Sequence, residues 1–131
     1  MGYSTRQKVL LGELFETSAR PLTAREICRQ AKRRLPSLGL ATVYRTLRQF
    51  VAEGLVRVVE IPGAPPHYER AALHHHHFFL CQACKHVFDL SGCVRGLRSL
   101  VPKGFSVQQH EIVLYGWCSR CQTQGSTKGG R

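Results

Sequence analysis

Apolar positions in the first half of the chain recur at helical spacing, in blocks separated by breakers. Leu10, Leu11, Leu14 and Phe15 form one apolar stripe, and Ser4 with Gln7 three residues on reads as a capping box starting that helix. Ala19-Arg20-Pro21 interrupts the pattern. Thr23-Ala24-Arg25-Glu26 is a second capping box, followed by Ile27, Cys28 and Ala31 on one face. After the turn at Pro36-Ser37-Leu38-Gly39, residues Ala41 to Val51 predict a third helix with Val43, Leu47 and Phe50 inward. Gly54 stops it, Leu55–Ile61 alternates as a strand, and Pro62-Gly63-Ala64-Pro65-Pro66 loops back into a second strand, His67–Arg70. Three short helices and a hairpin predict a winged helix-turn-helix.

The second half has a different rhythm. His75–Leu80 reads as a strand ending at Cys81, and Val87–Leu90 as another. Val94, Leu97 and Leu100/Val101 give Cys93–Val101 helical spacing, weakened by Gly96. Phe105–Tyr115 alternates as a last strand before Trp117-Cys118. Strand, strand, helix, strand predicts a small α/β unit that pairs with a copy of itself. The expected fold class is therefore α/β (α+β): a winged-helix domain with hinge over 1–72, a metal-binding dimerisation domain over 73–121, and a disordered Gly/Ser/Thr/Gln/Lys-rich tail over 122–131.

Charge sharpens the division. The chain has 131 residues and a net charge of +11, from 19 Lys+Arg against 8 Asp+Glu. Residues 1–60 hold eleven of the basic residues, one cysteine and no histidine, whereas residues 61–131 hold five cysteines and all seven histidines. The first half suits a polyanion, since each phosphate neutralised releases condensed counterions. The second suits a metal. No apolar run approaches the roughly 18–20 residues that span a bilayer, and the N-terminus lacks the pattern of a signal peptide. The expected location is the cytoplasm, without membrane contact, where Cys-x-x-Cys pairs hold metal more readily than disulfides.

On the third helix, Thr42, Arg45 and Arg48 are spaced i, i+3, i+6 on a face apart from the apolar stripe, with Tyr44 at its flank. A hydroxyl, an aromatic ring and two guanidinium groups can reach base edges and phosphates in a major groove. The same pattern also fits a solvated basic face. Arg25, Arg29, Lys32, Arg33 and Arg34 on the second helix supply the charge a backbone-crossing helix needs.

Two clips, Cys81-x-x-Cys84 and Cys118-x-x-Cys121, stand 33 residues apart. Four thiolates satisfy tetrahedral Zn2+ with no open position, a structural arrangement; two disulfides or four free thiols are the alternatives. His74-His75-His76-His77 is internal. In a strand, His75 and His77 face one side and His74 and His76 the other. Candidates to complete a site with His75 and His77 are His110 and either Cys93 or Asp89. His75, His77, Cys93 and His110 would offer three imidazole nitrogens and a thiolate, a set suited to zinc. The alternative is a solvated histidine cluster with Cys93 as a small buried hydrophobe.

In order along the chain, several segments resemble the ferric uptake regulator family of metal-responsive repressors. These are Thr5-Arg6-Gln7-Lys8, Gly39-Leu40-Ala41-Thr42-Val43-Tyr44-Arg45-Thr46-Leu47, Tyr68-Glu69, the histidine run, both Cys-x-x-Cys clips, and His110 before Leu114-Tyr115-Gly116. The resemblance covers about residues 4–121. It implies a homodimer that binds an AT-rich inverted repeat in double-stranded DNA, with metal as corepressor. Tyr44 and Arg45 would then contact bases, Arg6 would join Thr42 and Arg48 at the DNA, and Cys81, Cys84, Cys118 and Cys121 would hold structural zinc.

The resemblance also implies two regulatory sites. At the hinge, Glu69, His76 and Asp89 match, while Pro21 and Phe78 stand where histidines belong and His67 is the proposed substitute. In the dimerisation domain, His75, His77 and His110 match; Gly96 stands where an acid belongs, and Cys93 is the proposed replacement. A thiolate there favours Zn2+ over Fe2+ or Mn2+, which prefer harder ligands. The expected function is a zinc-responsive repressor. An iron- or manganese-responsive regulator, or a DNA-binding module with structural zinc only, are the alternatives. No enzyme activity and no small organic substrate are expected: there is no His-Glu-x-x-His and no βαβ pattern around either clip.

Overall fold

The computed structural model describes residues 5–71 and 76–123. It divides into two compact units, Met1–Leu73 and His74–Arg131.

The N-terminal unit runs α1 (Thr5–Thr17), β1 (Leu22–Thr23), α2 (Ala24–Ala31), α3 (Leu40–Ala52), β2 (Val56–Val59) and β3 (His67–Arg70). α1 buries Leu10, Leu11 and Phe15; the capping residue expected at Ser4 lies outside the described residues. α2 starts on the expected capping box. The Glu26 N–H donates to Thr23 Oγ1 at 3.1 Å and the Thr23 N–H to Glu26 Oε1 at 2.9 Å. α3 buries Val43, Thr46, Leu47 and Phe50, and Phe15 meets Phe50 edge to face with centroids 6.5 Å apart. Its end is a Schellman motif, in which Gly54 at φ 78° lets the Leu55 N–H reach Phe50 O at 2.9 Å and the Gly54 N–H reach Val51 O at 3.0 Å. β2 is shorter than the alternation over Leu55–Ile61 predicts. Pairing of Leu22 and Thr23 with Tyr68 and His67 adds a short strand the sequence did not signal, so the antiparallel sheet has the order β1-β3-β2.

The C-terminal unit comprises β4 (His77–Cys81), β5 (Val87–Leu90), a 3-10 turn (Leu97–Leu100), β6 (Val113–Gly116) and α4 (Ser119–Thr123). β4 is central, antiparallel to β5 and parallel to β6. Two sequence expectations need correction. The helix over Cys93–Val101 is a single 3-10 turn with no buried residue, because Gly92 and Gly96 take φ 93° and 81° and swing the chain out of helical geometry. The strand over Phe105–Tyr115 is confined to Val113–Gly116, and Phe105 is 67% exposed. α4 was not expected at all; Gln122 and Thr123 close it, and residues 124–131 lie outside the described residues.

The two units are built differently inside. The first packs a continuous apolar cluster from Leu10 to Val56. Among the described residues of the second, the buried apolar ones are Leu80, Cys81, Val87 and Cys121, while Val94, Leu100, Phe105, Leu114 and Tyr115 are exposed. So thin a core needs a further staple, which points to the cysteine clips.

Candidate metal centres and nucleic-acid face

The four clip cysteines converge. β4 delivers Cys81, and the turn after it carries Cys84, closed by Lys85 at φ 67° with its N–H on Cys81 O at 2.9 Å. The chain leaving β6 supplies Cys118, and α4 buries Cys121, with the Gln122 N–H on Cys118 O at 3.0 Å. All four Sγ atoms lie within 4.8 Å of one another, and Cys84 Sγ is 4.0 Å from Cys118 Sγ. Tetrahedral zinc with bonds of about 2.3 Å needs sulfurs about 3.8 Å apart, so the donor set fits that ion. None of the six cysteines is in a disulfide.

Electrostatics favours ion uptake there. Burial pushes the Cys81 thiol up, but backbone N–H groups of Cys84, Cys118 and Ala83 outweigh it and bring the thiol down to about 6. Burial holds Cys84 above its ordinary value; burial and the adjacent thiols push Cys121 up to about 12. One thiolate is ready at neutral pH, and a cation must displace protons from Cys84 and Cys121.

A second cluster joins His77, Cys93 and His110. Cys93 Sγ lies 2.9 Å from His110 Nε2 and 3.4 Å from His77 Nε2, and the two rings are 5.0 Å apart, tilted by 33°. His77 is buried in β4, and the Ile112 N–H donates to its Nδ1 at 3.1 Å. Cys93 is exposed, so it is not a buried hydrophobe. His75, expected as the fourth ligand, lies outside the described residues.

Of the expected hinge set, His76 and Asp89 lie in the C-terminal unit, with Nε2 to Oδ1 at 3.5 Å and the His76 ring edge-on to Phe78 at 5.1 Å. Phe78, where a histidine was expected, thus buttresses His76. Glu69 and His67 share the buried face of β3 in the N-terminal unit. Arg57 Nε donates to Glu69 Oε2 at 2.7 Å, a partner the sequence reading missed because β2–β3 register alone sets Arg57 opposite Glu69. His67 Nδ1 sits 2.8 Å from Pro65 O, and its Nε2 is buried with no hydrogen-bond partner. Burial lowers its pKa, against the Pro65 carbonyl bond and the Glu26 charge.

On α3, Tyr44, Arg45 and Arg48 are exposed and Thr42 is half-buried; Arg45 Nη2 donates to Thr42 Oγ1 at 3.2 Å. Arg6, at the start of α1, is exposed as well. Tyr68 on β3 packs against the core, and burial together with the nearby Tyr44 phenol raises its pKa, with Arg48 acting in the opposite sense. The basic face of α3 is therefore backed by the hairpin and open to solvent.

Comparison with known proteins agrees with this architecture. The Ferric uptake regulator family model matches residues 3–115. The zinc uptake regulation protein of Mycobacterium tuberculosis is 32% identical over 123 residues, covering 92% of this chain and 95% of its own length. The ferric uptake regulation protein of Bordetella parapertussis is 32% identical over 121 residues, covering 89% and 86%. A zinc-bound manganese uptake regulator shares the fold with a TM-score of 0.76 at 21% identity, over 88% of this chain and 90% of that one. FurB of M. tuberculosis, a zinc uptake regulator, aligns with a TM-score of 0.50 at 31% identity, over 89% and 93%. These relatives are transcription regulators and not enzymes. The chain is a member of the ferric uptake regulator family of metal-responsive regulators.

Proposed function

We propose that the chain is a zinc-responsive repressor that binds an AT-rich inverted repeat in double-stranded DNA as a homodimer in the cytoplasm. The observation that carries the reading is Cys93 Sγ set between His77 Nε2 and His110 Nε2. Two imidazoles and a thiolate, joined by His75, make a borderline-soft donor set that suits Zn2+ better than Fe2+ or Mn2+. Cys81, Cys84, Cys118 and Cys121 hold a separate structural Zn2+, which contributes folding energy and does not sense. Thr42, Tyr44 and Arg45 read the major groove, and Arg6 and Arg48 meet the phosphate backbone.

The exposed Val94, Leu100, Phe105, Leu114 and Tyr115 support pairing of the C-terminal unit with a second copy. Metal acts by linkage: the ion binds one dimer shape better than the other and shifts the population toward the shape that matches successive major grooves. Among the described residues no helix is long and apolar enough to cross a membrane.

A second reading draws on the His76–Asp89 pair, whose nitrogen and carboxylate are harder donors and suit Fe2+ or Mn2+. The test is DNA-binding anisotropy on an AT-rich inverted repeat against buffered free Zn2+, Fe2+ and Mn2+, with bound zinc counted per chain. Tight binding that appears as a second zinc fills establishes the zinc sensor. Tight binding driven by Fe2+ or Mn2+ selects the second reading. Tight binding at one zinc per chain, unchanged by added metal, leaves a DNA-binding module with structural zinc only.

A further inference from the structure

The hinge set implied by the resemblance needs the Glu69 carboxylate, from the N-terminal unit, to turn to a divalent cation. The residues around Glu69 do not fit that role. The register of β2 and β3 sets Arg57 directly across from Glu69, and Arg57 Nε donates to Glu69 Oε2 at 2.7 Å. The Glu69 side chain is 8% exposed and that of Arg57 43%, so the carboxylate is out of water while the guanidinium keeps an outer side in it. A pair this short and this little exposed is charge-assisted and weakly screened. Glu26 is held in the same way. Arg20 Nη2 meets its Oε2 at 3.1 Å, while its Oε1 serves the capping box of α2. Among the described residues of the N-terminal unit, the two least exposed carboxylates are thus each matched by an arginine of that unit.

We propose that Arg57 is a built-in cation that takes the place of metal at Glu69, and so confines metal response to donors of the C-terminal unit. The guanidinium neutralises the buried carboxylate whether or not an ion is in solution. Carried on the neighbouring strand, it acts at an effective concentration on the order of millimolar, against which a free divalent ion must compete. An ion that binds through Oε1 instead stands beside a guanidinium on the same carboxylate, and like charges at that range repel. Removal of the arginine reverses the preference. A buried carboxylate left without its cation is costly, and taking up a divalent ion relieves that cost. Arg57 is therefore a selectivity residue that acts against metal, and Glu69 is its counter-ion rather than a ligand.

The full-length parent, Glu69→Gln, Arg57→Gln, Arg57→Lys and the double variant Arg57→Gln/Glu69→Gln are dialysed against buffered Zn2+ and, separately, Mn2+. Bound metal is then counted per chain by plasma mass spectrometry. Glu69→Gln is expected to hold as many ions as the parent and to bind DNA at the same zinc midpoint. Arg57→Gln keeps an amide that can donate to Glu69, and it is expected to hold one more ion per chain, which the double variant loses. Arg57→Lys restores a cation and should match the parent. Loss of an ion in Glu69→Gln overturns the inference, and so does an Arg57→Gln protein that holds no more metal than the parent. Should Arg57→Gln fail to fold, the comparison of Glu69→Gln with the parent decides alone. Every comparison is between chains that differ only at positions 57 and 69, so it reads Glu69 whichever ion the C-terminal unit senses. Failure of the zinc reading shows instead in the parent's own titration.

Discussion

The backbone N–H of Ile112 donates to Nδ1 of His77 at 3.1 Å, which leaves the Nε2 of that ring facing Cys93 Sγ at 3.4 Å. In a neutral imidazole whose Nδ1 accepts, the proton sits on Nε2. A histidine that ligates metal through Nε2 ordinarily donates from Nδ1 to a carbonyl or carboxylate. Here Nδ1 meets a donor, so zinc at Nε2 competes with the Ile112 bond. Ile112 O also accepts from the Phe78 N–H at 3.2 Å, at the end of the β4–β6 ladder. The ligand and the edge of the sheet are thus one unit.

Filling the second zinc site should therefore perturb the Ile112 amide more than amides within β5. Amide NMR during a zinc titration reads this as a shift of the Ile112 cross-peak and loss of its exchange protection. An Ile112 amide that stays put while the His110 ring signals move excludes His77 Nε2 as a ligand.

The two proposed zinc sites should respond differently to loss of a thiol. Cys81→Ser opens the structural centre in a unit whose buried apolar residues are few, and structural zinc of this type supplies about 10–16 kcal/mol of binding energy to small domains. The C-terminal unit is expected to unfold, seen as loss of zinc and of its thermal transition. Cys93→Ser removes an exposed sulfur that fills no core, so the melt should stay within about 0.5 kcal/mol of the parent while zinc-dependent DNA binding weakens. His77→Ala is the less clean test, since that ring is 3% exposed and leaves a void.

Where side-chain pattern dictates structure, the sequence was legible. The capping box of α2, the apolar stripe of α3 and the stop at Gly54 all follow from local rules. The cysteine clips and the His77, Cys93 and His110 set are named by donor type, spacing and resemblance, and it is the fold that brings each set together. Periodicity misled where the apolar residues face solvent. Val94 and Leu100 mimic a helix stripe, yet Gly92 and Gly96 break the backbone there and neither side chain is buried. Phe105 mimics a strand in the same way. β1, the Arg57–Glu69 pair and the Ile112–His77 bond depend on register and on backbone groups, which side-chain periodicity does not encode.

Acid should weaken the N-terminal unit through His67. Burial sets its folded-state pKa below the ordinary 6.5, so at pH values between the two the unfolded chain binds more protons than the folded one. Stability is then fully present above 6.5 and is lost as pH falls toward the folded value, by at most about 1.4 kcal/mol per pH unit. Denaturant melts of the full chain in this window should show a pH slope that His67→Gln reduces. Equal slopes in both proteins assign the acid sensitivity elsewhere.

Arg45 and Arg48 should separate base reading from backbone contact. Arg45 is held by its bond to Thr42 Oγ1 at 3.2 Å, which orients the guanidinium on the exposed face of α3. Arg48 lies one turn on, and its charge acts on Tyr68 of the hairpin. An arginine paired with a guanine edge discriminates one position by about 1–3 kcal/mol, whereas a phosphate contact weakens all sequences alike and contributes about one unit to the salt slope. Arg45→Ala is expected to relax preference at one base pair per half-site. Arg48→Ala is expected to lower affinity uniformly and flatten the salt dependence. Anisotropy on a set of single-base operator variants at two salt concentrations distinguishes them. Uniform loss for Arg45→Ala, with no change in base preference, would remove it from the reading set and leave specificity to Tyr44 and Thr42.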